Sequence, residues 1–326
     1  MLSKLDSITI STFNLFNYLA PPNAFYDFAN IYTVQEWQQK KDWISNAITR
    51  LNSDVIAFQE VFSVDELQQQ MFELGYPYFV TVDTPHAEEY IYSHPVLAIA
   101  SRFPIIECSA VGSYYPTPDT VFEYNRKPIH AVIKLPLIGL CDIYVVHFKS
   151  QRPADTDDAP KPLTELWHQE NIGRWKSTMQ RGLEAHLLHQ SIVDNKKRHD
   201  RPCIMLGDFN KPITAEEFAG LMSQQIFRQE DSHLLLSPFH LYDAWELYSA
   251  DGAISRPYTH YMGAKGSVLD YILLSAEFAP AAFNPKAKVS DYFVLDSHLV
   301  NPIFEQDKQC SDHAVVSVQL TALGNT

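Results

Sequence analysis

The chain has 326 residues, of which 46% are hydrophobic and 20% are charged, which is typical of a globular protein and excludes a disordered or fibrous one. It contains 39 acidic and 25 basic residues, so its formal net charge is −14. Such a surface argues against tight, non-specific binding along a nucleic-acid backbone. Phosphate-containing substrates stay open, because a bound metal ion supplies positive charge locally. No apolar run approaches the about 20 residues that span a bilayer, so we expect no transmembrane helix.

The cysteines and the first residues indicate the compartment. Cys108, Cys141, Cys203 and Cys310 lie far apart and form no C-x-x-C pair, which argues against a zinc ribbon. No basic segment followed by an apolar one opens the chain, so we expect no signal peptide. Few cysteines and no signal together predict a cytoplasmic, reducing location. A monomer is the default expectation.

Hydrophobic periodicity predicts strands and helices along the whole chain. The predicted helices are Val34–Leu51, Val64–Leu74, Leu163–Val193 and Ala215–Met222. The predicted strands are Ile8–Asn14, Asp54–Phe58, Tyr78–Val82, Val96–Ala100, Ile105–Val111, Ile129–Leu135, Cys141–Phe148, Pro202–Leu206, Tyr258–Tyr261, Val268–Leu274, Val289–Leu295 and Ala314–Leu320. The polar segment Ser150–Lys161 is predicted to be a loop.

These elements are mixed rather than strictly alternating, and several strand pairs are close enough in sequence to form antiparallel hairpins. This pattern predicts an α/β fold with a two-sheet core and helices outside it. The sequence has no internal repeat and no long linker, which predicts one domain, residues 1–326. Ser63 with Glu66 predicts a capping box for the second helix, whereas Gly173 and Gly182 predict a kink or break in the third.

Polar residues recur where predicted strands end, which is how α/β enzymes build their sites. They are Asn14, Glu60, His147, Asp208, Asn210, Asp312 and His313, together with Asp270 inside an otherwise apolar run. Carboxylates and an amide oxygen suit a hard cation such as Mg²⁺. Histidines beside carboxylates suit proton transfer or charge stabilisation.

Each residue also has an ordinary structural explanation. Asn14 and Asp208 could be turn residues, Glu60 a solvated strand end and His147 a core histidine. Asp270 is harder to explain this way, because an aspartate among apolar residues is costly to bury unless it is paired. The order and number of these residues, rather than any one of them, favour a site.

In that order, the motifs make the sequence similar to the endonuclease/exonuclease/phosphatase superfamily, which has the DNase-I-like fold. The matching segments are Thr12–Asn14, Gln59–Glu60, Ala100–Ile105, Asn125–Arg126, Val146–His147, Gly207–Asn210, Asp243–Trp245, Leu269–Ile272 and Ser311–His313. The resemblance implies a four-layer sandwich, in which two mixed β-sheets pack face to face with helices on both outer sides. It also implies metal-dependent hydrolysis of phosphate esters, with Mg²⁺ or Mn²⁺ as cofactor.

The resemblance also implies a role for each site residue. Glu60 would be the principal metal ligand, helped by Asn14 and Asp312. Asp208 would orient or deprotonate the attacking water, and Asn210 would hold that water or a phosphate oxygen. His313, oriented by Asp270, would stabilise the pentavalent phosphorus centre. His147 and Arg126 would contact the phosphate.

Two points stay open at this stage. Some family nucleases carry an acid where this chain has Phe16, so the number of metal ions, one or two, is not fixed. Lys149 and Arg152 follow His147 directly and are equally explained as phosphate contacts and as a solvated turn. The segments Ser150–Lys161 and Ser223–Phe239 are the candidate specificity loops.

Three functions compete. The first is a divalent-metal-dependent phosphodiesterase or nuclease, whose substrates include nucleic acid. The second is a phosphomonoesterase or a phospholipid or inositol-headgroup hydrolase on the same fold, since specificity lies in the surrounding loops. The third is a non-catalytic binding module, which the complete set of site residues disfavours.

Overall fold

The computed structural model describes residues 7–112, 114–117, 120–154, 161–222, 235–249, 254–280, 282 and 284–323. The long helices are α1 (Val34–Leu51), α2 (Val64–Glu73) and α3 (Leu163–His199). Short α-helices cover Ala244–Tyr248, Ser297–Val300 and Phe304–Asp307, and 3₁₀ turns cover Glu216–Phe218, Ser237–Phe239 and Ala276–Phe278. The strands are β1 (Ser7–Tyr18), β2 (Ala24–Phe25), β3 (Val55–Val61), β4 (Tyr78–Val80), β5 (His86–Glu88), β6 (Ile91–His94), β7 (Val96–Ser101), β8 (Ile105–Ala110), β9 (Tyr114–Thr117), β10 (Thr120–Phe122), β11 (Ile129–Leu135), β12 (Gly139–His147), β13 (Cys203–Asp208), β14 (Leu241–Asp243), β15 (His260–Met262), β16 (Lys265–Ser267), β17 (Asp270–Ser275), β18 (Lys288–Leu295) and β19 (Val315–Thr321).

Two six-stranded sheets form the centre of the molecule. One has the order β18-β19-β1-β3-β7-β4 and the other β14-β17-β13-β12-β11-β8. Each is mixed, because its central pair is parallel (β1 with β3, and β12 with β13) while the remaining pairs are antiparallel. The parallel pair of each sheet brings the carboxyl ends of two strands to one edge of that sheet. The antiparallel neighbours β17 and β19 begin at the same edges.

Alternation along the strands explains the layers. In β3, Val55 and Ala57 lie in the core shared by the two sheets, whereas Ile56 and Phe58 pack in the cluster under α1 and α2. In the second sheet, Ile143 and Val145 of β12 face the shared core, while Tyr144 and Val146 pack in the cluster under α3. Successive strand residues point to opposite faces, so each sheet has an apolar layer on both sides. The predicted four-layer sandwich is therefore confirmed.

The capping box predicted at Ser63 is wrong. Ser63 makes no cap hydrogen bond, and its hydroxyl instead accepts one from the Ala20 backbone N–H at 2.8 Å. The α1 helix has the capping box: Thr33 and Glu36 exchange side-chain to backbone hydrogen bonds. The position of Ser63 beside β1, which the local sequence does not reveal, decides its partner.

Two helix predictions also need correction. The α3 helix is continuous over 37 residues, without the break predicted at its glycines. At Gly173 the missing side chain lets the backbone of Ala154 pack against the helix, with a 3.0 Å hydrogen bond from the Ala154 N–H to the Gly173 carbonyl. The predicted helix Ala215–Met222 is only the 3₁₀ turn Glu216–Phe218, since so short a segment gains little from helix formation and is shaped by burial of Phe218.

Candidate active site

The shared edge of the two sheets collects the polar residues predicted from the sequence. Asn14 and Glu60 come from β1 and β3, and the Asn14 Nδ2 donates to Glu60 Oε1 at 3.5 Å. The same Nδ2 donates to Asp208 Oδ2, at the end of β13 in the other sheet, at 3.1 Å. His147 Nε2 lies 3.3 Å and His313 Nε2 3.8 Å from that Asp208 oxygen. Residues up to about three hundred positions apart in the chain thus meet around one carboxylate.

Backbone geometry at these strand ends turns the side chains toward one another. Phe16, Asn17, Glu60 and Asn210 all have φ values between 51° and 62°, in the left-handed region that costs energy for residues other than glycine. The turn at Asn17 directs its N–H to Glu60 Oε2 at 3.0 Å. Such conformations cluster at functional sites, where the surrounding structure holds them.

His313 is paired with Asp270, which begins β17 rather than interrupting a strand as the sequence predicted. The Nδ1 atom of His313 lies 2.9 Å from Asp270 Oδ2. Burial alone would lower the pKa of His313, but the carboxylates of Asp270 and Asp208 outweigh burial and raise it well above the usual value. A protonated His313 keeps its Nε2–H directed toward Asp208 and the cleft.

Burial is the main cause of the pKa shifts of Asp208 and His147. Burial raises the pKa of Asp208, although the neighbouring His313 works in the opposite direction. Burial, and then the positive charge of Arg126, lowers the pKa of His147 well below its usual value. His147 is therefore a neutral donor near neutral pH, and its buried Nδ1 has no hydrogen-bond partner among the described residues.

The donor atoms fit a divalent cation. Asp312 has a buried oxygen, Oδ1, with no hydrogen-bond partner among the described residues. Two groups have ligand atoms within 4.8 Å of one another: His260 with Asp312 and His313, and Asp208 with Asp270 and His313. Each group includes at least one carboxylate, a ligand that divalent cations accept, whereas Glu60, the predicted principal ligand, belongs to neither group.

Asn14 is oriented differently from the other candidate ligands. Its Oδ1 accepts a hydrogen bond from the Phe16 N–H at 3.0 Å, and its Nδ2 faces the carboxylates. In this orientation Asn14 holds two carboxylates in place, and its role as a metal ligand stays a prediction.

A cleft of about 340 Å³ opens above these residues. Among the predicted site residues, those lining it are Glu60, Arg126, His147, Arg152, Asp208, Asn210, Asp312 and His313. Asn210 receives its orientation from Asp208, whose Oδ1 accepts the Asn210 N–H at 2.7 Å, and from the Phe148 carbonyl. Lys149 does not line the cleft but a neighbouring pocket. Parts of both predicted specificity loops, residues 155–160 and 223–234, lie outside the described residues.

Sequence reasoning missed three residues near the site. His260 forms an isolated bridge with His313, and their rings lie 4.9 Å apart. Lys40 occupies a buried position on the apolar face of α1, where a lysine among Trp37, Ile44 and Ile48 was the available signal. Tyr26 lines the cleft from the position directly after β2, and the strands of that small sheet (β2, β5 and β6) are too short to give a period.

Two mixed sheets packed face to face, with carboxylates and histidines collected at their common edge, define the class of DNase-I-like phosphate-ester hydrolases. The chain belongs to the Endonuclease/Exonuclease/phosphatase family, whose model matches residues 12–313. No curated protein sequence matches the chain. Within the described residues, no helix is long and apolar enough to cross a membrane.

Solved structures share the fold. The human Nocturnin catalytic domain with bound sulfate is 20% identical, with a TM-score of 0.59 over 97% of this chain and 95% of that one. A truncated TDP2 from Caenorhabditis elegans is 13% identical, with a TM-score of 0.57 over 97% and 98%. A family protein from Bacteroides thetaiotaomicron is 19% identical, with a TM-score of 0.54 over 97% and 98%. At these identities the likeness concerns the fold alone.

Proposed function

We propose that the chain is a divalent-metal-dependent phosphodiesterase of the nuclease type, which attacks phosphorus with an activated water. The observation that carries this proposal is the buried chain Asp270–His313–Asp208 beside Glu60 and Asp312 in one cleft. This arrangement combines a base, a protonated hydrogen-bond donor and carboxylates that could bind a metal ion. Ester hydrolysis at phosphorus uses groups of these three kinds.

Glu60 and Asp312 would hold the metal ion, Mg²⁺ or Mn²⁺. Once bound, the ion would neutralise charge on the phosphate and lower the pKa of water. The chain's own contribution is rigidity: the Asn17 N–H fixes one Glu60 oxygen, and Asn14 donates to the other. Carboxylates held in this way need little rearrangement to bind a cation.

Asp208 is the proposed base. Its Oδ1 accepts the Asn210 N–H, whereas Oδ2 accepts from the Asn14 Nδ2 and lies beside the imidazoles of His147 and His313. We assign Oδ2 as the oxygen that would accept the proton of the attacking water, since it is the one next to the proposed phosphate donors. The raised pKa brings this carboxyl closer to neutral pH, where a general base works best. Asn210 would hold the water or a phosphate oxygen beside it.

His313, His147 and Arg126 are the proposed donors to the phosphate. His313 carries a positive charge stabilised by Asp270, and Arg126 adds a second one at the cleft wall. Donors already in place are most effective where negative charge builds up at phosphorus during the reaction. His147, being neutral, donates without adding to the charge of the site.

The shape of the cleft favours a diester over a monoester. One wall comes from the hairpin β15–β16, including Met262 and Lys265, and another from Ser150 to Arg152 after β12. A diester has a substituent on either side of phosphorus, and the two walls offer each substituent a surface. Phosphomonoesters and inositol headgroups are the alternative substrates that the experiment must separate.

The test is hydrolysis of bis-p-nitrophenyl phosphate, p-nitrophenyl phosphate, single-stranded RNA, plasmid DNA and inositol headgroups, with Mg²⁺, Mn²⁺ or EDTA. We expect metal-dependent cleavage of the diesters, lost in EDTA, in Asp208→Asn and in Glu60→Gln. Asp65→Asn and Glu66→Gln, two exposed acids on α2, are the matched controls. Release of phosphate from monoesters or headgroups alone would replace the diesterase proposal with the phosphatase alternative.

The setting proposed for the enzyme follows from its composition. All four cysteines are free thiols, which supports a reducing, cytoplasmic location. We further propose that residues 1–326 act as one domain, since the two sheets share an apolar core. A monomer stays the default proposal for the oligomeric state.

A further inference from the structure

A second, smaller pocket of about 250 Å³ lies beside the catalytic cleft. The two cavities share Tyr26, Arg126 and Arg152 in their walls, whereas Lys149 lines only the second. An anion bound at Lys149 would therefore be a different group from the one beside Asp208 and His313. Ser93 and His94 of β6 add polar groups to its lining.

Positive charge is crowded in this pocket. Arg126, Lys149 and Arg152 line it, and none of the other described residues in its wall is acidic, in a chain whose net charge is −14. Burial, and then the charge of Arg126, lowers the pKa of the Lys149 ammonium. The buried carboxylate of Glu184 acts in the opposite direction on the Lys149 pKa, but it already accepts the backbone N–H groups of Asn125 at 2.8 Å and of Lys149 at 2.6 Å. Like charges held this close are unfavourable unless an anion joins them.

Two cationic side chains in the pocket use only part of their hydrogen-bonding capacity on the protein. The buried Nε of Arg126 has no hydrogen-bond partner among the described residues, although its Nη1 donates to Asn125 at 3.0 Å. The Lys149 ammonium makes a long hydrogen bond, 3.4 Å, to the Ser150 hydroxyl. Arginine and lysine donors of this kind suit phosphate oxygens.

Tyr26 stands between the two cavities. Its φ of 62° is strained for a bulky aromatic residue, and the ring is 40% exposed. The pKa of its phenol, raised mainly by burial, also responds to Glu60 at the catalytic end and to Arg126 and Arg152 at the cationic end. A substrate that fills both cavities would pass this ring.

We propose that the pocket is a second phosphate subsite, so that the preferred substrate carries a further phosphate group next to the ester that is cleaved. This inference rests on the phosphodiesterase function proposed for the first site. The recognised group is a phosphate dianion, as found at the end of a short oligonucleotide. Lys149 and Arg152 are then specificity residues rather than members of a solvated turn.

Binding to an inactive variant tests the subsite without turnover. In the Asp208→Asn background with Mg²⁺, calorimetry compares the dinucleotide ApA with pApA and ApAp, which differ only in a terminal 5′ or 3′ phosphate. We expect one of the phosphorylated forms to bind about tenfold more tightly than ApA, as an added charged contact commonly gives. Adding Lys149→Met should remove most of this preference, whereas Lys149→Arg should keep it. Lys134→Met, an exposed lysine at the far end of β11, should have no effect on it.

The outcomes separate the two proposals. Equal affinities for the three dinucleotides, or a preference that survives Lys149→Met, would overturn the second subsite. Hydrolysis of ApA by the wild-type enzyme is measured separately and reports the diesterase function. A binding preference without ApA cleavage would retain the subsite and reject the diesterase, and ApA cleavage without a preference would do the reverse.

Discussion

His313 Nδ1 and Asp270 Oδ2 lie 2.9 Å apart, and their side chains expose only 8% and 1% of their surfaces. The pair joins the two sheets, because Asp270 begins β17 in one and His313 precedes β19 in the other. Packing of the sandwich therefore fixes the histidine ring and, through the carboxylate, its charge. Any change that loosens the contact between the sheets at this edge would act directly on His313, the proposed donor to the phosphate.

Asp270→Asn should reduce kcat by about 10²- to 10⁴-fold, the range for losing a positioned proton-transfer group. The neutral amide no longer holds the pKa of His313 high, so the histidine loses its proton at a lower pH. The basic limb of the kcat/KM profile should accordingly move to lower pH. Asp65→Asn serves as the control, and an unmoved basic limb would contradict the role of His313 as the charged donor.

Asp208 should make the metal-free protein less stable as pH rises. Its folded pKa is raised by burial, so its contribution to stability is complete below the unfolded pKa and is lost as pH rises through the folded value. Asp208→Asn removes that ionisation. In EDTA, the Tm of the variant relative to wild type should increase between about pH 5 and pH 8. The Tm difference for Asp65→Asn should be constant over this range. A constant difference for Asp208→Asn as well would show that ionisation of Asp208 does not destabilise the folded protein.

Sequence patterns predicted the sandwich and most strands because alternation and helical spacing reflect which face of each element is buried. The site motifs were found because their order along the chain is distinctive. Sequence could not give the contact from Asn14 to Asp208, 194 positions apart, since that depends on how the sheets face each other. Nor could it give the hydrogen-bond partner of Ser63 or explain why a glycine stands at position 173. These depend on the backbone of Ala20 and of Ala154, which are distant in sequence. Tyr26 was missed because two-residue strands carry no period.

Lys40→Met should tighten Mg²⁺ binding by about tenfold, because it removes a buried positive charge that acts on Glu60 and Asp312. The ammonium lies 5.6 Å from the Phe16 ring centre and 5.5 Å from that of Tyr32, and methionine keeps the aliphatic packing. Burial lowers the pKa of Lys40 to about 8, so the difference from wild type should shrink above that pH.

Calorimetric titration with Mg²⁺ at pH values on either side of the Lys40 pKa measures both effects. The neighbouring Lys41→Met is the matched control, since that lysine lies over Trp37 on the same helix. Weaker Mg²⁺ binding in Lys40→Met than in wild type would mean that Lys40 organises the carboxylates rather than opposing the cation.

Alanine substitutions at two glycines of α3, Gly173 and Gly182, form a matched pair. They test how the helix positions the segment that contains Lys149 and Arg152. A Cβ at Gly173 would lie 2.5 Å from the Ala154 carbonyl oxygen and 2.8 Å from Pro153 Cβ, whereas the nearest atom to a Cβ at Gly182 is 3.9 Å away. Gly182→Ala should therefore stabilise the protein by about 0.5–1 kcal/mol, the usual helix gain of alanine over glycine. Gly173→Ala should destabilise it by about 1–3 kcal/mol through overpacking.

The displacement at Gly173 should also reach the second subsite. The Arg152 carbonyl accepts a 2.6 Å hydrogen bond from Ser177 on α3, so the segment before Ala154 is tied to the helix and moves with it. In the Asp208→Asn background, Gly173→Ala should weaken binding of the preferred phosphorylated dinucleotide more than binding of ApA, while Gly182→Ala should leave both unchanged. Urea unfolding and calorimetry measure the two effects separately. Equal weakening of both ligands would assign the effect to general loss of structure, because only a shift of Lys149 and Arg152 discriminates the terminal phosphate.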